Sequence, residues 1–378
     1  MEFGLSESQQ LLKDNARKFF AGECPMQEVR RLMETETAYD RHLWAKMTEQ
    51  GYTGIIFPEE FGGVGLGKVE LILLMEEAGW ALLPGPLFST VALAGAVIDA
   101  VAGSEQKKRY LSAICSGQAR STLAMLEANA SWRPADAQMA TSNGRLSGEK
   151  LFVTDARVAD FMVVVGPDGV FVVDAKAPGI TVEPMKTMDL TRKMYAVGFH
   201  NTPGERLANA GGLIRGLDVA ATALAAELVG GMQRTLDITV AYAKMRKQFG
   251  KPIGSFQAVQ HHCADMYLET ESARSAAYYA AWAIENDAPD AAVAVSIAKM
   301  YASDAGRRVG NRGIQVHGGM GFTWENDLHL YYRRAKAAET ALGDAAFHRE
   351  RIAQLVIDGC PASSRSAPQA SADVTAAS

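Results

Sequence analysis

Cysteine is sparse and scattered: Cys24, Cys115, Cys263 and Cys360 stand far apart, with no Cys-x-x-Cys pair. That spacing excludes a zinc ribbon or a dithiol redox motif and predicts reduced, structural thiols. An excess of basic residues is also missing. With 38 Lys and Arg against 43 Asp and Glu, the formal net charge is -5, so no basic face is offered to phosphate backbones and nucleic acid is excluded as the main ligand. Long apolar runs are absent as well. The longest, Val91–Ile98, is followed at once by Asp99 and falls well short of the roughly 20 residues a membrane-spanning helix needs. The opening Met1–Ser8 has no basic stretch leading into an apolar one, which predicts neither a secretory signal nor a transit peptide and a cytoplasmic location. His261, His262 and His317 lack a carboxylate or cysteine at ligand spacing, so no metal site is expected.

What is present is a chain of 378 residues with 48% hydrophobic content, enough for two or three domains and a large core. Residues 1–120 read as an N-terminal helical domain. Ser6 is placed as an N-cap before Leu11, Leu12, Phe19 and Phe20 at helical spacing. A Pro- and Gly-rich turn, Phe57–Gly67, interrupts the helices, and a further run from Val69 to Leu83 stops at Pro84-Gly-Pro86, where proline cannot continue a helix. Gly103–Leu111 reads as a helix start with a solvated basic face. Over residues 121–210 short β-prone runs, Leu151–Thr154, Phe161–Val165, Val170–Val173 and Ile180–Val182, predict a mainly antiparallel β domain. Residues 211–360 return to long helices. There Phe256, Val259, Cys263 and Met266 make one apolar seam of the kind a bundle buries, and Pro289-Asp290 opens another helix. Residues 361–378, rich in Ser, Ala and Pro, are expected to be a disordered tail.

Two polar stretches punctuate the apolar helices. The first is Arg246-Lys-Gln-Phe-Gly-Lys-Pro-Ile-Gly-Ser-Phe-Gln257, and the second is Gln315-Val-His-Gly-Gly-Met-Gly321. An arginine presents a fixed fork of donors that suits phosphate oxygens, and glycines let backbone N–H groups approach an anion closely.

These two motifs, in this order and with Ala264-Asp-Met266 between them, resemble those of the acyl-CoA dehydrogenase flavoprotein family. The resemblance runs from Phe3–Gln9 and the Pro58–Gly63 turn to about residue 355. It implies a mainly α fold with an inserted β domain: an N-terminal helical domain, a middle antiparallel β domain and a C-terminal four-helix bundle. It also implies a tetramer, homo- or heteromeric, with FAD bound across subunit boundaries and the Gln315–Gly321 half supplied by a neighbouring subunit. Arg246, Gln248, Phe249, Ile253, Phe256, Gln257, Gln315, Gly318 and Gly319 would hold the adenosine and pyrophosphate. In Lys150–Asp155, Phe152 and Thr154 take the positions that pack on the flavin ring and hydrogen-bond to it. The implied reaction is oxidation of an acyl-CoA to the 2-enoyl-CoA, with an electron-transferring flavoprotein as acceptor.

The chain departs from the family at the base that removes the proton beside the thioester. Alignment through Arg333-Arg-Ala-Lys336 sets Leu342 at one family glutamate position; alignment through Leu217-Asp218 and Gly230–Gln233 sets Ala220 at the other, with Ala221 in place of a neighbouring arginine. Neither residue abstracts a proton. Asp344 and Glu227 are the nearby candidates. Against them stand two ordinary uses: Asp after Gly commonly caps a helix, and Glu227 can pair inside the bundle. The family's Thr-Glu-Pro-x-x-Gly-Ser-Asp-like loop is also altered here to Met125–Pro134, where Glu127 matches but Trp132 and its neighbours replace the Gly-Ser pair. Two functions are compatible with this pattern: an acyl-CoA dehydrogenase with an atypical base, or a non-catalytic subunit completing the FAD site of a heterotetramer.

Overall fold

Ser6 begins the first helix through a reciprocal cap: its Oγ accepts from Gln9 N–H at 3.2 Å while Gln9 Oε1 accepts from Ser6 N–H at 3.0 Å. A computed structural model of the chain describes residues 4–357; the expected tail at 361–378 and Cys360 lie outside them. The N-terminal helices are α1 (Glu7–Glu23), α2 (Met26–Met33), α3 (Arg41–Glu49) and α4 (Lys68–Trp80). Beyond Pro84-Gly-Pro86 the apolar run is not a plain α-helix. Phe88–Gly95 is a π-helix that passes directly into α5 (Ala96–Val101), followed by α6 (Ser104–Cys115). The basic face expected on α6 is partly paired, Lys107 with Asp99 at 3.1 Å and Arg109 with Glu205.

The β domain runs β1 (Ser121–Ala124), β2 (Ala140–Ser142), β3 (Arg145–Thr154), β4 (Phe161–Gly166), β5 (Gly169–Asp174), β6 (Ile180–Pro184), β7 (Met194–Pro203) and β8 (Glu205–Arg206). These make two four-stranded sheets, ordered β1-β4-β5-β8 and β2-β3-β7-β6, antiparallel throughout except for the parallel β1–β4 pair. Leu146, Val153, Val164, Phe171, Val197 and Phe199 form their shared core.

The C-terminal part comprises α7 (Leu213–Met245), a two-strand hairpin β9 (Lys247–Gln248) and β10 (Lys251–Pro252), then α8 (Gln257–Glu285), α9 (Ala291–His317), α10 (Leu328–Thr340) and α11 (Ala345–Val356). Helices α7 to α10 form the bundle and α11 packs on α9. The N-terminal helices meet the bundle backbone to backbone. A Cβ at Gly230 would lie 1.8 Å from Glu76 O, and one at Gly79 would lie 2.0 Å from Glu227 O, so α4 and α7 cross at a distance only glycine permits. The seam expected on α8 is only partly internal. Met266 is buried, whereas Phe256, Val259 and Cys263 are half-buried and Tyr267 and Leu268 are exposed. The four-residue period is real, but its first turns are only half covered within this chain, where Cys263 and Ala264 border a groove against Leu236 and Val240 of α7. Among the described residues no helix is long and apolar enough to cross a membrane.

Candidate active site

The Arg246–Gln257 stretch folds as a tight turn at the end of the longest helix. Arg246 N–H closes α7 on Tyr242 O at 2.8 Å, and Ile253 N–H donates to Arg246 O at 2.8 Å. Gln248 pairs with Lys251 across β9 and β10, leaving Phe249 and Gly250 as a two-residue loop with φ of +52° and +78°. Two successive positive φ angles define the hairpin turn that ordinarily takes Asn-Gly. A phenylalanine in the first position is strained, and strain of this kind is retained where side-chain placement matters. Its effect is to project Phe249 outward, 90% exposed, with its ring edge-on to Phe256 at 6.1 Å. Lys251 Nζ sits 4.5 Å above the Phe256 ring. The side-chain hydrogen bonds in this segment are those of Ser255 to Pro252 O and Gln260 to Gly254 O. Arg246, Gln248 and Gln257 are left exposed, and Ile253 half-buried.

The second motif lies beside the first. Helix α9 ends at His317, and Gly318 then takes φ +60°, ψ -140°, a conformation that side-chain-bearing residues avoid. A Cβ at Gly318 or Gly319 would meet nothing within 4 Å, so this backbone is open to a ligand, and Gln315 is exposed next to it. His317 Nδ1 donates to Gly313 O at 2.8 Å, and its ring stacks on Tyr242 at 4.2 Å. Burial holds this imidazole below its usual pKa, against the Gly313 hydrogen bond. Within one chain the two motifs are therefore neighbours at the same end of the bundle. Tyr242, one turn before Arg246, joins them through its stack on His317.

In the β domain, a register shift between Lys150 and Val153 bulges β3 against β7. The bulge puts Phe152 at φ +53° and 46% exposed, while Thr154 is buried at the strand end. Behind it, buried Lys150 donates to Val165 O at 2.6 Å, Met125 O at 3.1 Å and Glu127 at 2.5 Å. The Glu127 carboxylate also accepts from the N–H groups of Gln138 and Met139 at 2.7 and 3.1 Å, so it organises the altered loop that carries Trp132.

Both candidate bases have other engagements. Asp344 is the N-cap of α11, accepting from Phe347 N–H at 2.8 Å. It follows a turn in which Leu342 and Gly343 have φ of +59° and +96°. That turn is held by buried Lys299, which donates to Gly343 O at 2.9 Å and Glu339 O at 3.2 Å, and by His348 Nε2, which donates to Leu342 O at 3.1 Å. Glu227 is gripped by two guanidiniums: Arg192 Nη2 reaches both its oxygens at 2.8 Å and Arg334 Nη1 reaches Oε1 at 2.5 Å. Burial opposes ionisation of Glu227, and the two arginines outweigh it, holding the carboxyl below its usual range. A carboxylate so held is a weak base. Arg334 also binds Asp189 at 2.6 Å and Thr191 Oγ1 at 2.6 Å. In this buried cluster all three parts of the chain meet; the sequence allowed that Glu227 pairs inside the bundle but did not identify its partners Arg192 and Arg334 or their neighbour Asp189.

An exposed arginine fork, three exposed amides, two open glycines and an outward phenylalanine fit the phosphates and aromatic system of FAD in charge and donor chemistry. Comparison with known proteins agrees. The family description "Acyl-CoA dehydrogenase, N-terminal domain" matches residues 6–118 and "Acyl-CoA dehydrogenase, C-terminal domain" matches residues 212–357. The chain is 32% identical over 354 residues to acyl-CoA dehydrogenase IpdE2 of Mycolicibacterium smegmatis, covering 93% of this chain and 98% of that one. Among solved structures, a Tcur3481-Tcur3483 steroid ACAD variant superposes with a TM-score of 0.86 at 34% identity, over 93% of this chain and 98% of that one. A chain of the ChsE4-ChsE5 complex from Mycobacterium tuberculosis does so with a TM-score of 0.86 at 28% identity, over 94% and 99%. Matched in both helical domains and in fold, the chain belongs to the FAD-dependent acyl-CoA dehydrogenase family.

Proposed function

We propose that this chain takes part in α,β-dehydrogenation of an acyl-CoA thioester as the FAD-site-completing subunit of a heterotetramer, with the base supplied by a homologous chain. The observation that carries this reading is the contrast between the two sets of residues. Arg246, Gln248, Gln257 and Gln315 stand exposed, whereas Asp344 and Glu227 are occupied as a helix cap and an ion-pair partner. Exposed Tyr267 and Leu268 on α8 and Phe249 at 90% exposure supply apolar surface for a partner chain.

In this arrangement Arg246 and the N–H groups of Gly318 and Gly319 would hold the pyrophosphate, and Phe249, Ile253 and Phe256 would line the adenosine. Phe152 would pack against the flavin ring and exclude water from it, and the Thr154 hydroxyl would donate to it. FAD, when bound, supplies the acceptor for the substrate's β-hydride. A carboxylate in a desolvated pocket removes the α-proton, and donors at the thioester oxygen stabilise the developing enolate. Likeness to a steroid ACAD and the bulky Trp132 loop support a ring-bearing acyl group, and an electron-transferring flavoprotein is the expected acceptor.

The test is expression alone and together with a homologous chain. Coexpression should raise the flavin content per chain and produce acyl-CoA-dependent reduction of an acceptor dye; a stable, yellow, active assembly of this chain alone would sink the reading. A second reading, an active chain with Asp344 as atypical base, is favoured by the exposure of Asp344 beside the turn at Leu342. Asp344→Asn retains a capping side chain, so loss of turnover with FAD still bound would support that alternative.

A further inference from the structure

Asp155 follows Thr154 directly and is 2% exposed. Its φ is +56° and that of Phe152 is +53°, so both ends of the Phe152–Asp155 stretch hold a left-handed backbone that side chains disfavour. Such backbone persists where surrounding contacts over-determine it. Asp155 N–H donates to Lys193 O at 2.9 Å, and its Oδ2 accepts from Ser89 Oγ at 2.7 Å. Ser89 lies in the π-helix Phe88–Gly95, a conformation concentrated at functional sites. The same hydroxyl has a second acceptor within reach, Pro86 O at 3.3 Å.

The other carboxyl oxygen, Oδ1, is buried without a partner. The charged and titratable groups around it are Arg192 before β7, Arg334 on α10, Glu227 on α7 and Tyr195 on β7. Both arginines are already committed, Arg192 to Glu227 and Arg334 to Glu227 and Asp189. The cluster thus holds three carboxyl groups against two cations, and Asp155 carries the imbalance. Burial pushes its carboxyl up to about 6, against the Ser89 hydrogen bond and the two arginines.

The geometry points to Asp155 as a positioning residue that couples the flavin-facing segment Phe152–Thr154 to the π-helix through a charge-dependent hydrogen bond with Ser89. Ionised, Asp155 draws the Ser89 proton and ties the strand end to the π-helix. Protonated, it is a poorer acceptor, and Ser89 turns to Pro86 O. The inference rests on the FAD reading for the identity of what Phe152 and Thr154 face, but not for the coupling itself.

Two readouts separate these. In the full assembly between pH 5 and 7.5, hydrogen exchange of residues 150–156 and the position of the flavin absorption band should shift together, with one inflection near 6. Asp155→Asn should abolish the inflection in both while FAD stays bound, and Ser89→Ala should do the same with Asp155 intact. An inflection that survives Asp155→Asn, or a variant whose sole defect is an equal loss of melting temperature at every pH, overturns the coupling. A colourless protein whose exchange inflection is lost in Asp155→Asn upholds the coupling and rejects the FAD reading.

Discussion

The rings of Tyr242 and His317 stack at 4.2 Å with 21° between their planes, a contact that joins the Arg246 turn to the Gly318 turn. Aromatic pairs of this kind contribute about 0.5–1.5 kcal/mol beyond area burial. Tyr242→Ala should therefore weaken FAD binding roughly three- to tenfold, while Tyr242→Phe, which keeps the ring, should leave it unchanged. Flavin fluorescence titration of the apoprotein distinguishes the two.

Arg246 is the cation proposed for the pyrophosphate. Hydrogen bonds to charged groups are worth about 1.5–3 kcal/mol, so Arg246→Ala should raise the FAD dissociation constant by about tenfold or more. Arg246→Lys should recover only part of the loss, because a point charge cannot reproduce the planar fork. Equal affinity in all three proteins would remove Arg246 from the site.

Glu227 gives a stability prediction rather than a catalytic one. Removing one partner of a buried ion pair strands the other charges, at a cost of about 3–5 kcal/mol. Glu227→Gln should lower the unfolding midpoint sharply, and the measurement is denaturant unfolding followed by circular dichroism. A variant of wild-type stability that had lost turnover would instead make Glu227 the base.

Lys299 sets a pH dependence. Burial pushes its ammonium down to about 7, with Asp344 and Glu339 opposing, and a group depressed in the fold destabilises it wherever the unfolded chain takes up the proton first. Stability should rise between about pH 7 and the ordinary lysine range near 10.4, at up to about 1.4 kcal/mol per pH unit. Lys299→Met should lose that slope when unfolding is measured from pH 7 to 9.

The helical domains were legible because their signals are local. Ser6, Pro84 and Pro289 punctuate helices by capping or by lacking an N–H, and those rules act over a few residues. The two polar motifs proposed for FAD stood out as spaced polar residues in apolar surroundings. The π-helix was not: Phe88–Gly95 carries the same apolar composition as an α-helix, and its register is set by packing. Nor was the cluster of Asp155, Asp189, Arg192, Glu227 and Arg334, whose members come from separate elements and meet only in the fold. The adjacency of the two polar motifs is likewise a product of the fold, in which Tyr242, one more residue of a long helix in sequence, stacks on His317.

The glycine contact between α4 and α7 has a consequence for how this protein can change over time. Each helix places a carbonyl where the other would need a methyl group, so Gly79 and Gly230 pass only one of the twenty residues. Elsewhere along the two helices, substitutions meet side chains that can repack. The crossing is therefore a point of lineage memory: sequences can drift widely around it, but a descendant that abandons either glycine must first move a whole helix, and with it the Glu227 carboxylate that the two arginines hold.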